Sequence, residues 1–249
     1  MIIEQTYSKL QSLQLSGMGK GYKEQVSQPS MQALSFDERL ALIVDRELYD
    51  RENRKLIRNI KNAKLRHPAR IEELNYHSSR GLEKQIIANL AECSWINSRQ
   101  NLIITGPTGA GKSWLACAFA TQACRRGHSA LYKGATLLYE ELKLAIGDGS
   151  LPRYRSSLAK VKVLILDDFG LSSVDPVVGH ILLDIIDQRL HSGSLIITSQ
   201  LPTENWHSMF NDPTLADAIL DRIVHRSHRI SLRGESMRKL IGMGEQPQM

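Results

Sequence analysis

Two kinds of hydrophobic pattern divide the chain. From about residue 100 onward, short apolar runs rich in β-branched residues alternate with longer stretches of helical period. The runs are NLIIT at 101–105, SALY at 129–132, VKVLIL at 161–166, SLIIT at 194–198 and HRISL at 228–232. Such short, near-continuous runs predict strands buried on both faces, as in a parallel sheet. The stretches between them predict helices at 114–125, 135–146, 151–160, 175–190 and 213–224. In the fourth of these, Val178, Ile181, Leu182, Ile185 and Ile186 mark the inward face. Gly127 and Gly147 stand where helices should end. The alternation predicts an α/β fold with a doubly wound parallel sheet.

The first 70 residues contain no run that reads as a buried strand, and predict a small all-helical unit. Leu10 and Leu13 are candidate contacts of a first helix. Gly17, Gly19 and Gly21 read as a loop or a helix end, and 27–30, with Pro29, as a turn. Ser35 with Glu38 three residues on is a capping box that opens a long helix reaching about Arg66. Leu40, Val44, Leu48 and Tyr49 form its first apolar stripe, and Leu56, Ile60 and Ala63 continue one. Pro68 ends it, and 82–95 reads as a further helix leading into the first strand. The expected division is a helical domain at 1–70, an α/β domain at 71–241 and a disordered tail at 242–249.

Charge changes the picture of the long helix. The 249-residue chain carries a net charge of +6, and the excess is concentrated. Between 51 and 70, Arg51, Arg54, Lys55, Arg58, Lys61, Lys64, Arg66 and Arg70 are opposed only by Glu52. At 100° per residue, Arg51, Arg54, Lys55, Arg58 and Lys61 share one face. That is more cation than solubility requires, and it fits phosphate contacts to nucleic acid. A membrane-surface helix fits less well, because its apolar face has no Trp or Phe. No run is long enough for a membrane span, and no secretory signal pattern is visible. Cys93, Cys117 and Cys124 lack C-x-x-C spacing, as in a protein of the reducing cytoplasm. His225 and His228 have H-x-x-H spacing but no further ligands to complete a metal site.

The chemistry centres on 106–113, GPTGAGKS, which fits the phosphate-loop pattern G-x-x-x-x-G-K-[ST] between a strand and a helix. Gly106, Pro107, Thr108, Gly109, Ala110 and Gly111 would curl backbone N–H groups around an anion, at the positive end of a helix dipole. Lys112 would add a charge for the outer phosphates, and Ser113 a ligand for Mg²⁺. The strand at 161–166 runs into Asp167 and Asp168. At the carboxyl edge of a doubly wound sheet, Asp167 would face the Mg²⁺ and Asp168 the attacking water. By the same rule Ser199 and Gln200 should lie beside the outermost phosphate.

Four blocks stand together: GPTGAGKS, VLILDDFG, IITSQLP and ADAILDRIVHRSHRISLRGESMRK. Together they resemble the AAA+ ATPases of the helicase-loader and initiator branch, and within it the IstB-like transposition helper ATPases of insertion sequences. The resemblance implies a three-layer AAA+ sandwich, ATP and Mg²⁺ as cofactors, and ATP hydrolysis. It implies that 106–113 is the Walker A loop and Asp167 and Asp168 the Walker B pair, with Asp168 where many relatives carry Glu. Gln200 stands at the sensor 1 position and Arg238 at that of sensor 2. Arg222 matches the arginine finger that completes a neighbouring subunit's site, with Arg226 as its rival. The implied partners are duplex DNA, a cognate transposase and further copies of the chain, in a bacterial, nucleoid-associated cytoplasmic setting with no membrane. The alternative within the same branch is a replicative helicase loader. Loaders often grip the helicase through the N-terminal segment, some with zinc ligands there, and this N-terminus contains no cysteine.

Overall fold

The computed structural model describes residues 2–76, 81–234 and 236–237. The chain forms two compact units, Met1–Arg58 and Asn59–Met249, so the division falls inside a helix rather than at 70/71.

The first unit contains α1 (Ile2–Ser12), α2 (Ser16–Ser27), a 3-10 turn at Pro29–Ala33 and most of α3 (Phe36–Ala63). The three glycines at 17, 19 and 21 lie inside α2 and are buried, not in a loop. The reason is close approach. A Cβ on Gly17 would come within 2.6 Å of Glu47 Cα, and one on Gly19 within 3.1 Å of the Tyr7 ring. Glycine's cost in a helix interior is offset by this contact between backbones. The Glu47 carboxylate accepts from the N–H groups of Gly17 at 2.6 Å and Met18 at 3.1 Å, at the positive end of α2. Burial raises the Glu47 carboxyl. Hydrogen bonds from Arg51, Met18 and Gly17 more than offset this and hold it below its ordinary value. The capping box forms, with Ser35 N–H donating to Glu38 Oε2 at 2.8 Å and Glu38 N–H to Ser35 Oγ at 3.3 Å. The first apolar stripe of α3 is not core: Leu40 is 40% exposed, Leu48 56% and Tyr49 70%. Periodicity identifies the face, but it stays largely open among the described residues.

The second unit opens with the last turn of α3. Asn59 Nδ2 donates to the His128 carbonyl at 3.1 Å, and Ala63 is fully buried. The helix expected over 82–95 is two: α4 (Lys84–Ala91) and α5 (Ser94–Asn97). They are broken at Cys93, whose φ is 61°. The buried Trp95 indole donates to the Leu90 carbonyl at 2.9 Å, taking an acceptor that a continuous helix would have used.

Then follow β1 (Asn101–Thr105), α6 (Lys112–Arg125), β2 (Ala130–Gly134), α7 (Ala135–Gly147), α8 (Leu151–Lys160), β3 (Val163–Asp167), α9 (Pro176–Ser192), β4 (Ser194–Ser199), α10 (Pro213–Val224) and β5 (Ser227–Ser231). All five strands are parallel, in the order β2-β3-β4-β1-β5. Thr105 of β1 pairs with Ser199 on one side and Ser231 on the other. The carboxyl ends of β1, β4 and β5 therefore lie side by side. Successive residues along each strand point to opposite faces. Leu164 and Leu166 join a core with Leu138, Leu142, Ile181, Ile185 and Trp206 of the flanking elements. On the other face α6 packs against β1–β4, and Leu115, Ala116 and Phe119 are fully buried. Two helical layers thus enclose the sheet.

Asp175 and Asp212 cap α9 and α10 by accepting from the N–H groups of Val177 and Thr214. The Arg189 side chain is enclosed in this unit and donates to the carbonyls of Leu158, Val161, Lys162 and Ser194, and burial lowers its guanidinium to about 10. All three cysteines are buried. Burial raises the Cys117 thiol and pushes those of Cys93 and Cys124 up to about 11. Among the described residues no helix is long and apolar enough to cross a membrane.

Candidate functional site: the phosphate loop and its cavity

The loop between β1 and α6 turns on glycines that no other residue replaces without strain. Gly106, Gly109 and Gly111 have φ of 148°, 82° and 92°, a region that favours glycine. A Cβ on Gly106 would also meet the Leu232 carbonyl oxygen at 2.5 Å. The loop is held from two directions. Thr108 Oγ1 donates to Gln200 Oε1 at 2.6 Å, and Met237 N–H donates to the Gly109 carbonyl at 3.0 Å. Lys112 begins α6, is buried, and donates from Nζ to the Pro107 carbonyl at 2.9 Å. Pro107 and Ala110 complete the turn, and Ser113 is the second residue of α6.

β3 delivers the acidic pair, and the two residues differ sharply. Asp167 is 1% exposed. Thr198 Oγ1 donates to its Oδ1 at 2.5 Å, and the Tyr132 hydroxyl donates to Oδ2. Arg66 Nη1 lies 3.6 Å from the same Oδ2. Burial and Asp167 together raise the Tyr132 hydroxyl. The Tyr132 oxygen, then Asp167, raise the Arg66 guanidinium. Asp168 is past the strand, half-buried, with φ of 58°. Its N–H donates to Thr198 Oγ1 at 2.9 Å, so one hydroxyl fixes both acidic residues.

A cavity of about 550 Å³ opens on this edge of the sheet, lined by Thr108, Gly109, Gly111, Lys112, Ser113, Asp168 and Gln200 among others. The structure thus brings the loop, one carboxylate and the amide after β4 to one space. It does not bring Ser199 there. Ser199 is fully buried, donates to the Phe169 carbonyl at 2.6 Å, and accepts from the Trp206 indole at 3.2 Å. Ser199 ends β4 and faces the core, whereas Gln200 follows the strand and lines the cavity. Ser199 instead ties the turn after β3 to the core.

The remaining lining consists of Arg66, His67, Glu73, Asn75, Trp114 and Met237. No motif spacing marks 66–75, which the fold alone brings to the cavity. Trp114 could have been noticed as the neighbour of Ser113. The Ser113 hydroxyl on the cavity wall is a hard oxygen donor of the kind that fits Mg²⁺. The Asp167 carboxylate is the same kind of donor, but it does not line the cavity and its two oxygens accept from Thr198 and Tyr132. No group of three His, Cys, Asp or Glu side chains that could hold a metal exists among the described residues. An ion here would complete its shell with phosphate oxygens and water, as Mg²⁺ favours.

Neither Arg222 nor Arg226 lines this cavity. Arg222 projects from α10, ion-paired with Asp187, and donates from Nη1 to the Ala218 carbonyl at 2.7 Å. It lines a separate open pocket of about 640 Å³ with Glu204, Asp221, His225 and Arg229. Arg226 donates to the Ser98 carbonyl at 3.3 Å. Arg238 and the tail at 242–249 lie outside the described residues. Arg51, Arg54, Lys55, Arg58 and Lys61 are all exposed on α3. Arg51 and Arg54 both pair with Glu47.

The chain is 45% identical over 239 residues to the insertion sequence ATP-binding protein y4pL of Sinorhizobium fredii, covering 96% of this chain and 98% of that one. Among solved structures it resembles DnaI, with a TM-score of 0.58 and 22% identity over 66% of this chain and 91% of that one. It also resembles AMPPCP-bound DnaA from Aquifex aeolicus, with a TM-score of 0.59 and 19% identity over 74% of this chain and 57% of that one. These likenesses show the AAA+ fold expected from the sequence. Residues 8–241 match the model of the family described as IstB-like ATP binding protein, and this chain belongs to that family.

Proposed function

We propose that the protein is a Mg²⁺-dependent ATPase of DNA transposition. With ATP it assembles on duplex DNA and recruits and stimulates the transposase at the target site. The observation that carries the reading is one cavity shared by the glycine-built loop, Lys112, Ser113, Asp168 and Gln200, in a chain of the IstB-like family.

The site's own residues suggest the division of labour. The loop amides and Lys112 hold the phosphates. Ser113 and Asp167 would hold Mg²⁺, which would neutralise phosphate charge. Asp168 orients the attacking water and takes its proton, its backbone pinned by Thr198. Gln200, placed against Thr108, positions the same water beside the outermost phosphate. Arg238 would read that phosphate within its own subunit. Arg222 would enter a neighbour's site, exchanging Asp187 for phosphate, so that hydrolysis depends on assembly. The basic face of α3 would contact DNA phosphates with little base readout. Such a protein acts in the bacterial cytoplasm, on the nucleoid.

The test is ATP-dependent assembly on duplex DNA, compared between the native chain and Lys112→Ala. ATP should drive the native chain into large DNA-bound complexes, and the variant should form none. Equal assembly by both, or none with ATP and Mg²⁺, would overturn the reading.

A further inference from the structure

The phosphate cavity contains a cation that neither the loop nor the acidic pair supplies. Arg66 lines it together with Lys112, Ser113, Asp168 and Gln200. Its guanidinium is 3.6 Å from Asp167 Oδ2, and the side chain is 50% exposed whereas that of Asp167 is 1% exposed. The carboxylate stays in place, held by Thr198 and Tyr132, while the arginine, which meets the Tyr132 oxygen as well as Asp167, keeps half of its side chain exposed to the cavity. Lys112, the cation of the motif, is buried and turned to the Pro107 carbonyl. Arg66 is the exposed guanidinium on the cavity wall.

We infer that Arg66 is a phosphate-binding residue of its own subunit's site: its exposed guanidinium turns from Asp167 to the terminal phosphate of ATP. The inference rests on the ATPase reading above and adds a residue to it. A terminal phosphate held by Lys112 beside Asp168 and Gln200 would share one cavity with Arg66, and it carries more negative charge than the single carboxylate that Arg66 now meets. The planar guanidinium fork matches two of its oxygens. ADP lacks that phosphate and gives the arginine nothing comparable to move to. Arg66 thereby distinguishes ATP from ADP.

The experiment is equilibrium dialysis of labelled ATP and labelled ADP, each with Mg²⁺, against the native chain, Arg66→Ala, Arg66→Lys and Lys112→Ala. Circular dichroism checks that each variant is folded. Arg66→Ala should lose about tenfold in ATP affinity, the worth of one charge-assisted hydrogen bond, with ADP affinity nearly unchanged. Arg66→Lys should recover part of the preference, because charge survives and the fork does not. If Arg66→Ala does not fold, Arg66→Lys alone decides: an unreduced ATP-to-ADP preference overturns the inference. Equal losses for both nucleotides would show a structural role and overturn it too. If the native chain binds ATP, Lys112→Ala does not, and Arg66→Ala behaves as native, the inference fails while the ATPase reading stands. If the native chain binds neither nucleotide, both fail.

Discussion

At Gly17 a methyl group decides whether two helices can touch. Gly17→Ala places a Cβ within 2.6 Å of Glu47 Cα and 2.7 Å of the Arg46 carbonyl. Backbone cannot yield as a side chain tip can, so the substitution should cost about 1–3 kcal/mol. An unshifted urea midpoint would contradict the packing described. Glu47 adds a pH dependence. Its folded carboxyl is held below 4.5, its ordinary value. Its contribution is therefore present above that value and lost as pH falls beneath it. Glu47→Gln should destabilise the chain at neutral pH, and the difference from native should shrink on acidification below 4.5. Residues differed in how far the sequence revealed them. The constraints on 106–113 all lie within one turn, so spacing alone exposes the loop. Arg66, His67 and Asn75 reach the same cavity only through the path of the chain after α3. Ser199 departs from its expected place because the crevice rule names a strand end and not the side to which each residue points.

At the scale of elements, α3 begins with a reciprocal capping box whose two bonds are both formed. Ser35→Ala should cost about 1 kcal/mol and speed amide exchange in the first turn of α3, leaving β1–β5 protected as before. Uniform loss of protection across the sheet would refute a local role. The strands and the helices between them were readable because each is a contiguous run of one period. α2 was not, since helical glycines look like a break until the partner that needs their missing side chains is known. The break at Cys93 was likewise hidden, because it depends on the Trp95 indole finding the Leu90 carbonyl. The apolar stripe of α3 shows a third limit: period marks a face without naming what covers it.

For the whole molecule, two ion-pair patterns refine what should be measured. Arg51 and Arg54 are drawn to Glu47, whereas Lys55, Arg58 and Lys61 make no ion pair among the described residues. Replacing Lys55, Arg58 and Lys61 by Gln should weaken DNA binding across sequences and flatten its dependence on log salt by about three units. An unchanged slope would remove α3 from the DNA surface. Arg222 belongs to this scale too, because its expected partner is another subunit. Arg222→Ala and Lys112→Ala should each be inactive as ATPases, yet a mixture should regain activity. In the mixed assembly an intact loop on one copy meets an intact arginine on the next. A mixture as dead as its components would place Arg222 outside the neighbour's site.

The interior placement of Cys93, Cys117 and Cys124, with thiols raised by burial, has a practical consequence. The thiolate is the reactive form, so all three should ignore maleimides in the native chain and become modifiable only in denaturant. A new cysteine at an exposed position such as Glu52 would then be the one thiol open to a dye, with the native three left in place. Fluorophores attached there would report subunit association in real time on an otherwise unaltered protein.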